Sequence, residues 1–377
     1  MSNFDTIKIN KFNLNKGFHG LEIPRSKELY FFLRNKLKIK FNLFELKRKM
    51  LINRVLIDFK LKKSQWPEEI KKNLRIKKNF YKNQKINFFF KNELVKLFRS
   101  CGKRYSDNID LSKSQFLPWF LPADVKHLSS DEGDIYRYKV RNNKLSGNFA
   151  IPTDNTFRSL QNKFYRFLIK RGVKFLFNTH VHLNKKEIFF YNNNQTKISL
   201  IDRDTKKIFY CLNPTFLIKD INKNHFKKIY KFKRHLMIGI IKINENFDNN
   251  FSEILCANKK IPFLNKIYSL NFLKYKIKKN SYIVVEIQNK SGVILDSQKN
   301  LITKEIKKIF KLNKEPAIID IKKIRDIYKI NNDWIEVSNK ILKKNFNKKT
   351  YFVYKNDYWP INMTKAWLYA NKNSIKD

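Results

Sequence analysis

Asn155-Thr156-Phe157-Arg158-Ser159-Leu160-Gln161-Asn162-Lys163-Phe164-Tyr165-Arg166-Phe167-Leu168-Ile169-Lys170-Arg171-Gly172-Val173-Lys174-Phe175-Leu176-Phe177 contains a complete start, body and stop signal for a helix. Asn155 or Thr156 can cap its first turn, and Phe157, Leu160, Phe164, Phe167 and Leu168 fall on one face at helical spacing. Lys170 and Arg171 close the last turn where cations favour the helix dipole. Gly172 follows at the position that wants a left-handed C-cap. Immediately afterwards Val173, Phe175 and Phe177 alternate, which predicts a strand, continued by Val181 and Leu183. Helix, glycine and strand in succession make an α/β unit.

Working outward, the same two periods recur. Ser26, after Pro24, can cap a helix with Leu29, Tyr30, Leu33 and Leu37 on its inner face. Strands are predicted at Lys197–Ile201, Lys207–Cys211, Phe216–Ile218, Leu236–Ile243 and Tyr282–Ile287. Helices are predicted at Lys304–Leu312 and from Asn362 to the end. Alternation of this kind predicts an α/β fold, with α+β character in part of it, and excludes a helix bundle. There is no internal repeat and no Pro/Gly/Ser linker. The Lys/Asn-rich stretches Lys71–Lys91 and Lys340–Lys349 are interleaved with aromatics and read as solvated elements.

Composition sets the class. Of 377 residues 42% are hydrophobic and 15% aromatic, which is too rich in core-forming side chains for a disordered chain. Cys101, Cys211 and Cys256 are widely spaced and form no CxxC pair, so neither a disulfide framework nor a zinc knuckle is indicated. No run reaches the length of a membrane span. Asp5 and the absence of a basic-then-apolar leader give a cytoplasmic location as the expectation. The formal charge of +49 invites a nucleic-acid reading, yet 66 of the 81 basic residues are lysine and only 15 arginine. Arginine is the better tool for forked phosphate recognition. The charge is also spread: residues 1–100 carry 26 basic against 8 acidic side chains, a net of +18, and 151–350 carry +27. An AT-rich, lysine-biased genome accounts for this, and binding to polyanions is expected to be weak and non-specific.

The glycines define an absence. A dinucleotide fold needs G-x-G-x-x-G after its first strand so that backbone amides can approach a pyrophosphate. Here no two of the eight glycines are separated by a single residue, and no Walker loop or G-x-S-x-G elbow occurs. Gly17-Phe18-His19-Gly20-Leu21-Glu22-Ile23-Pro24-Arg25-Ser26 concentrates two glycines in four residues. It reads either as a strand end turning into a helix or as backbone that approaches a ligand, with His19 and Arg25 facing it. His180 and His182 share a strand face without a third ligand, Asp131, Glu132 and Asp134 read as a polar loop, and Cys101 has no histidine partner in sequence; no metal site is expected. At the other end, Tyr358-Trp359-Pro360-Ile361-Asn362-Met363-Thr364-Lys365-Ala366-Trp367 offers Asn362 as a cap. The amides of that helix start either hold an anion or polarised ring, or simply begin a docking helix with Trp359 and Trp367 buried.

Three segments together resemble one family. Ala150-Ile151-Pro152, Leu160, Gly172-Val173-Lys174-Phe175 and Asn178-Thr179-His180-Val181 are similar to the helix and strand that return to the FAD-binding sheet in the flavin amine oxidase superfamily. UDP-galactopyranose mutases and protoporphyrinogen oxidase-like proteins belong to that group. Phe209–Ile218 looks like the strands that follow. Gly17–Arg25 is similar to the strand after the dinucleotide unit, Trp359–Trp367 to the last helix that meets the flavin, and Asn265–Ser269 with Tyr282–Glu286 to strands of the substrate domain. The resemblance implies a FAD-binding Rossmann-like domain, N-terminally truncated, from 1–40, 151–220 and 340–377, interleaved with a substrate domain from 41–150 and 221–339. It implies Gly17, His19, Trp359, Asn362 and Met363 near a flavin ring, and Arg25, Lys266 and Tyr268 toward a small-molecule substrate such as a sugar nucleotide. The family's opening strand and glycine loop have no counterpart here. Thr153-Asp154-Asn155 replaces glycines, Lys355, Asn356 and Asp357 replace a glycine and a charged residue, and Lys266 stands where an arginine is expected. The expectation is therefore a FAD-dependent oxidoreductase-like or mutase-like protein that needs a missing segment for its cofactor, as from an incomplete or split gene. Its rivals are a basic nucleic-acid- or ribosome-associated protein and a non-catalytic relic of the flavoprotein fold.

Overall fold

The structure is a computed structural model. It describes residues 6–58 apart from 16–20, 23–26, 46 and 53–54; residues 148–230 apart from 154–157, 178, 180, 184–187, 192–196, 200–207, 211–217 and 220; residues 233–328 apart from 259 and 271–280; and 337, 340–341, 344 and 350–352. In chain order the elements are β1 (Thr6–Ile9), β2 (Phe12–Asn15), β3 (Leu21–Glu22), α1 (Lys27–Phe31, continued by a π-helical turn Phe32–Lys36), β4 (Phe41–Glu45), β5 (Arg48–Ile52), β6 (Val55–Asp58), β7 (Asn148–Pro152) and α2 (Arg158–Ile169). There follow β8 (Val181–Leu183), β9 (Ile188–Tyr191), β10 (Lys197–Ser199), β11 (Ile208–Tyr210), α3 (Lys223–Tyr230), β12 (Lys233–Ile243), β13 (Glu253–Ala257), β14 (Leu264–Ser269), β15 (Ser281–Asn289), α4 (Asp296–Ile309), β16 (Ala317–Tyr328) and β17 (Thr350–Phe352). The chain divides into two compact units, Met1–Lys163 with Arg234–Lys329, and Phe164–Lys233 with Ile330–Asp377.

The first unit is organised by a seven-stranded sheet in the order β16-β12-β15-β14-β13-β5-β6. Strands β12, β15, β14 and β13 are antiparallel neighbours, and β5 joins β13 in parallel. β12 and β15 are runs of isoleucine and valine with almost no exposed position, as expected of strands covered on both faces. One face takes α4: Ile302, Ile306 and Ile309 pack with Met237 and Ile241 of β12 and Ile283, Val285 and Ile287 of β15. The other takes the β1–β2 hairpin, whose Ile9, Phe12 and Leu14 meet Ile238, Ile240, Tyr268, Tyr282 and Val284. Ile302 and Ile306 are fully buried. Each such side chain contributes roughly 1.5–3 kcal/mol, well above an exposed ion pair such as Lys299–Asp296 on the same helix. Gly239 lies in the middle of β12 because a Cβ there would stand 2.8 Å from Ile321 Cγ1 and 3.1 Å from Val285 Cγ2.

Helix α4 begins at Asp296, eight residues before the start read from the sequence. The Leu295 N–H donates to Gln298 Oε1 at 3.1 Å, and Lys299 reaches Asp296, so the first turn is stabilised by polar side chains that apolar periodicity does not register. After α4, Glu245 clamps the turn by accepting from the backbone N–H groups of Asn313 and Lys314. Those two amides hold its carboxyl below the usual carboxylate range. The helix read after Pro24 is present as α1 and the π-turn, with Leu29, Tyr30, Leu33 and Leu37 all buried. A smaller sheet, β3-β7-β4, lies in the same unit.

In the second unit, β8, β9 and β10 form an antiparallel sheet and β11 pairs in parallel with β17, joining Ile208–Tyr210 to Thr350–Phe352. Helix α2 ends as its sequence requires. Val173 N–H bonds to Leu168 O and Gly172 N–H to Ile169 O, with Gly172 at φ +78°. The strand expected next at Val173–Phe177 is not formed. The alternating Phe175 and Phe177 instead turn back onto Tyr165 of α2, at 4.8 and 5.5 Å between ring centroids. Local ring packing thus satisfies the alternation that elsewhere signals a sheet. Ile218, expected to end a strand, is helical and buried. The C-terminal helix read from Asn362 lies outside the described residues.

Candidate functional site

The site is built by an irregularity in β14. Leu264 and Ile267 both face the α4 side of the sheet, although strict alternation would place residues three apart on opposite faces. The register against β15 shifts between Leu264 and Lys266. Such a bulge inserts one residue, and here it sends both Asn265 and Lys266 to the face that carries Tyr268. Two carboxyl side chains from the flanking strands meet them. Lys266 is registered opposite Glu286 of β15, and Tyr268 opposite Glu253 of β13.

The contacts make a connected polar group. Tyr268 Oη donates to Glu286 Oε2 at 2.8 Å, and Asn265 Nδ2 donates to Glu286 Oε1. Both oxygens of Glu286 thus act as acceptors, as a carboxylate does. Lys266 Nζ stands 3.7 Å from Glu253 Oε2 and 5.9 Å from the centroid of the Tyr268 ring. Glu253, Glu286 and Tyr268 are 1%, 4% and 3% exposed, whereas the Lys266 side chain is 31% exposed. Carboxylates withdrawn from water this far are costly without partners; Glu253 is paired with Lys266, and Glu286 is hydrogen-bonded by Tyr268 and Asn265. Chemically the result is one accessible ammonium seated on a floor of buried acceptors.

Of the residues singled out in the sequence, Lys266 and Tyr268 are brought together here. Gly17, His19, Arg25, Trp359, Asn362 and Met363 lie outside the described residues. Sequence reading placed Asn265 and Glu286 only at the ends of substrate-domain strand segments, without a site role, and did not name Glu253. The signal for Glu286 was present: an acidic residue inside the apolar run Tyr282–Ile287, on the side of Tyr282 and Val284. Asn265 had no signal, because the bulge that turns it inward arises only on pairing with β15. A second polar pair sits in the same unit, where His235 Nδ1 and Asp326 Oδ1 are 2.6 Å apart. Gly292, at φ +75°, passes so close beneath the imidazole that a Cβ would meet it at 2.9 Å. Among the described residues no three His, Cys, Asp or Glu side chains gather as a metal ion needs, and no helix is long and apolar enough to cross a membrane.

No protein-family model matches the chain, and no curated protein matches its sequence. Solved structures match its shape. Reduced UDP-galactopyranose mutase superimposes with a TM-score of 0.55 at 11% identity, over 93% of this chain and 81% of that one. A candidate protoporphyrinogen oxidase from Exiguobacterium sp. 255-15 gives 0.54 at 9% identity, over 99% and 90%. A putrescine oxidase redesigned in its cofactor binding gives 0.51 at 8% identity, over 99% and 89%. The chain shares the fold of these proteins.

A dinucleotide cofactor such as FAD, if held in this fold, would need backbone amides close to its pyrophosphate. Three glycines are described, and none makes a phosphate cradle. Gly172 ends a helix, where the dipole repels anions; Gly239 is packed under Ile321; Gly292 is covered by the His235 ring. The described residues therefore do not fit the phosphate end of the cofactor.

Proposed function

We propose that this chain is a FAD-dependent oxidoreductase-like protein, of the amine oxidase or sugar-nucleotide mutase type, whose substrate side is the Lys266 face of the seven-stranded sheet. The flavin-facing role is assigned to Gly17, His19, Trp359, Asn362 and Met363, and a further substrate contact to Arg25. The cofactor's phosphates would need a strand–glycine loop–helix that residues 1–377 do not contain. The observation that carries the reading is the partly exposed Lys266 side chain beside the buried Glu253 and Glu286, in a chain with this fold. Lys266 contacts an anionic group of a small substrate, such as the diphosphate of a sugar nucleotide. Glu253 orients the ammonium. Tyr268 and Asn265 hold Glu286 and so fix the floor of the site.

The test is a thermal-shift comparison of sugar nucleotides, inorganic diphosphate and amines on the wild-type chain and on Lys266→Met. Stabilisation by a sugar nucleotide that exceeds that of diphosphate, and is lost in Lys266→Met, supports the reading. Stabilisation unchanged by Lys266→Met would refute the placement of the site. No stabilisation by any of these compounds favours a relic that keeps the fold alone.

A further inference from the structure

The segment Phe164–Phe177 leaves an unusual surface on the second unit. Tyr165, Ile169, Val173, Leu176 and Phe177 are between 38% and 64% exposed, and they fall within thirteen residues along the end of α2 and the chain that follows it. Single exposed apolar residues are ordinary, but a contiguous set is not. Arg166, Lys170, Arg171 and Lys174 are all exposed around it. From Asn155 to Lys186 the sequence carries eight Lys and Arg and not one Asp or Glu, so no acidic side chain within the segment neutralises this rim.

We propose that this surface docks on an anionic lipid bilayer, with the apolar side chains at the acyl boundary and the cations among the headgroups. Three occupants were open, and the geometry separates them. A second copy of the chain would bring the same uncompensated cations face to face. Single-stranded nucleic acid needs free aromatic faces on which bases stack. Here Phe175 and Phe177 stack on each other at 5.7 Å and an interplanar angle of 7°, Tyr165 sits edge-on to Phe175, and Arg171 covers the Phe167 ring at 4.3 Å. Three of the five exposed apolar residues are aliphatic, which offers nothing to a base and partitions well into lipid. A bilayer with acidic headgroups matches both the charge and the aliphatic content.

The test uses the full chain and vesicle cosedimentation. Phosphatidylcholine vesicles are compared with vesicles containing phosphatidylserine, alongside a single-stranded oligonucleotide. Two variants change the surface, Leu176→Asp with Phe177→Asp, and Arg166→Glu with Lys174→Glu; all four positions are exposed, and far-UV circular dichroism checks that each variant is folded. A control, Lys290→Glu with Lys304→Glu, makes the same charge change on exposed positions of the first unit. The expected result is binding to the acidic vesicles only. Each basic side chain brought near the surface raises partitioning about five-fold, so Arg166→Glu with Lys174→Glu should lower it by well over an order of magnitude. The aspartate pair should abolish it, and the control should lower it only a few-fold. The proposal is overturned if control and surface variants lose binding equally, which would mean diffuse electrostatics. It is overturned equally if the acidic vesicles are not bound, or if Leu176→Asp with Phe177→Asp removes oligonucleotide binding and leaves vesicle binding intact.

Discussion

Replacing Tyr268 with phenylalanine removes one oxygen atom and leaves the ring in place against Ile238, Ile240 and Val284. It creates no cavity, so any loss of stability comes from the hydrogen bond. That bond is 2.8 Å long, and both partners are at most 4% exposed. Its acceptor is a carboxylate, and bonds to charged groups contribute about 1.5–3 kcal/mol net, so Tyr268→Phe should destabilise the chain by roughly 2 kcal/mol. Glu286→Gln removes the charge and replaces one of the two accepting oxygens by an NH2 group that faces a donor, and should cost a similar amount. Because the two changes break the same bond, they should not add. A double-mutant cycle by urea unfolding, followed by far-UV circular dichroism, should return a coupling of about 1–2 kcal/mol. Independent, additive effects, or a Tyr268→Phe cost under about 0.5 kcal/mol, would show that the buried floor under Lys266 is not connected as described.

Gly239→Ala should destabilise by about 1–3 kcal/mol, because its new methyl group meets Ile321 at 2.8 Å in a filled sheet interface; a urea midpoint equal to wild type would contradict that packing. Gly292→Ala should cost about 2 kcal/mol, through left-handed backbone strain and contact with the His235 ring, and adding His235→Ala should relieve only the contact part. Asp248 accepts from the Lys49 ammonium at 2.9 Å and from the Asn250 N–H, which hold its carboxyl below the usual aspartate range. A lowered folded-state pKa gives stability that is present above the unfolded pKa and is lost as the pH falls through the folded one. Below about pH 4 the wild type should therefore lose stability more steeply than Asp248→Asn. Parallel acid curves would remove Lys49–Asp248 from the account.

Much of the fold was legible because it rests on periodicity. The buried face of α1, the Gly172 stop of α2 and the isoleucine runs of β12 and β15 follow from residue spacing alone. Where pairing decides, the sequence was mute. Val173–Phe177 alternates like a strand, yet its rings find Tyr165 before they find a sheet. Helix α4 starts early on Asp296 and Gln298, polar residues that carry no apolar period. The site shows the same division. Lys266 and Tyr268 could be picked out by their resemblance to substrate-domain strands. Asn265 could not, since a β-bulge turns it inward. Glu253 became part of the site only through the register that sets it opposite Tyr268.

The proposal made above is that residues 1–377 share the fold of flavin enzymes, place a substrate face at Lys266 and lack a G-x-G-x-x-G loop for the phosphates of FAD. It is tested most directly by the flavin content of the purified chain, measured by absorbance and by fluorescence after acid release. The account predicts a colourless protein that stays colourless after incubation with FAD, and that gains flavin when a strand–GxGxxG–helix segment is fused upstream. A chain that purifies yellow, with flavin near one per molecule, would contradict it.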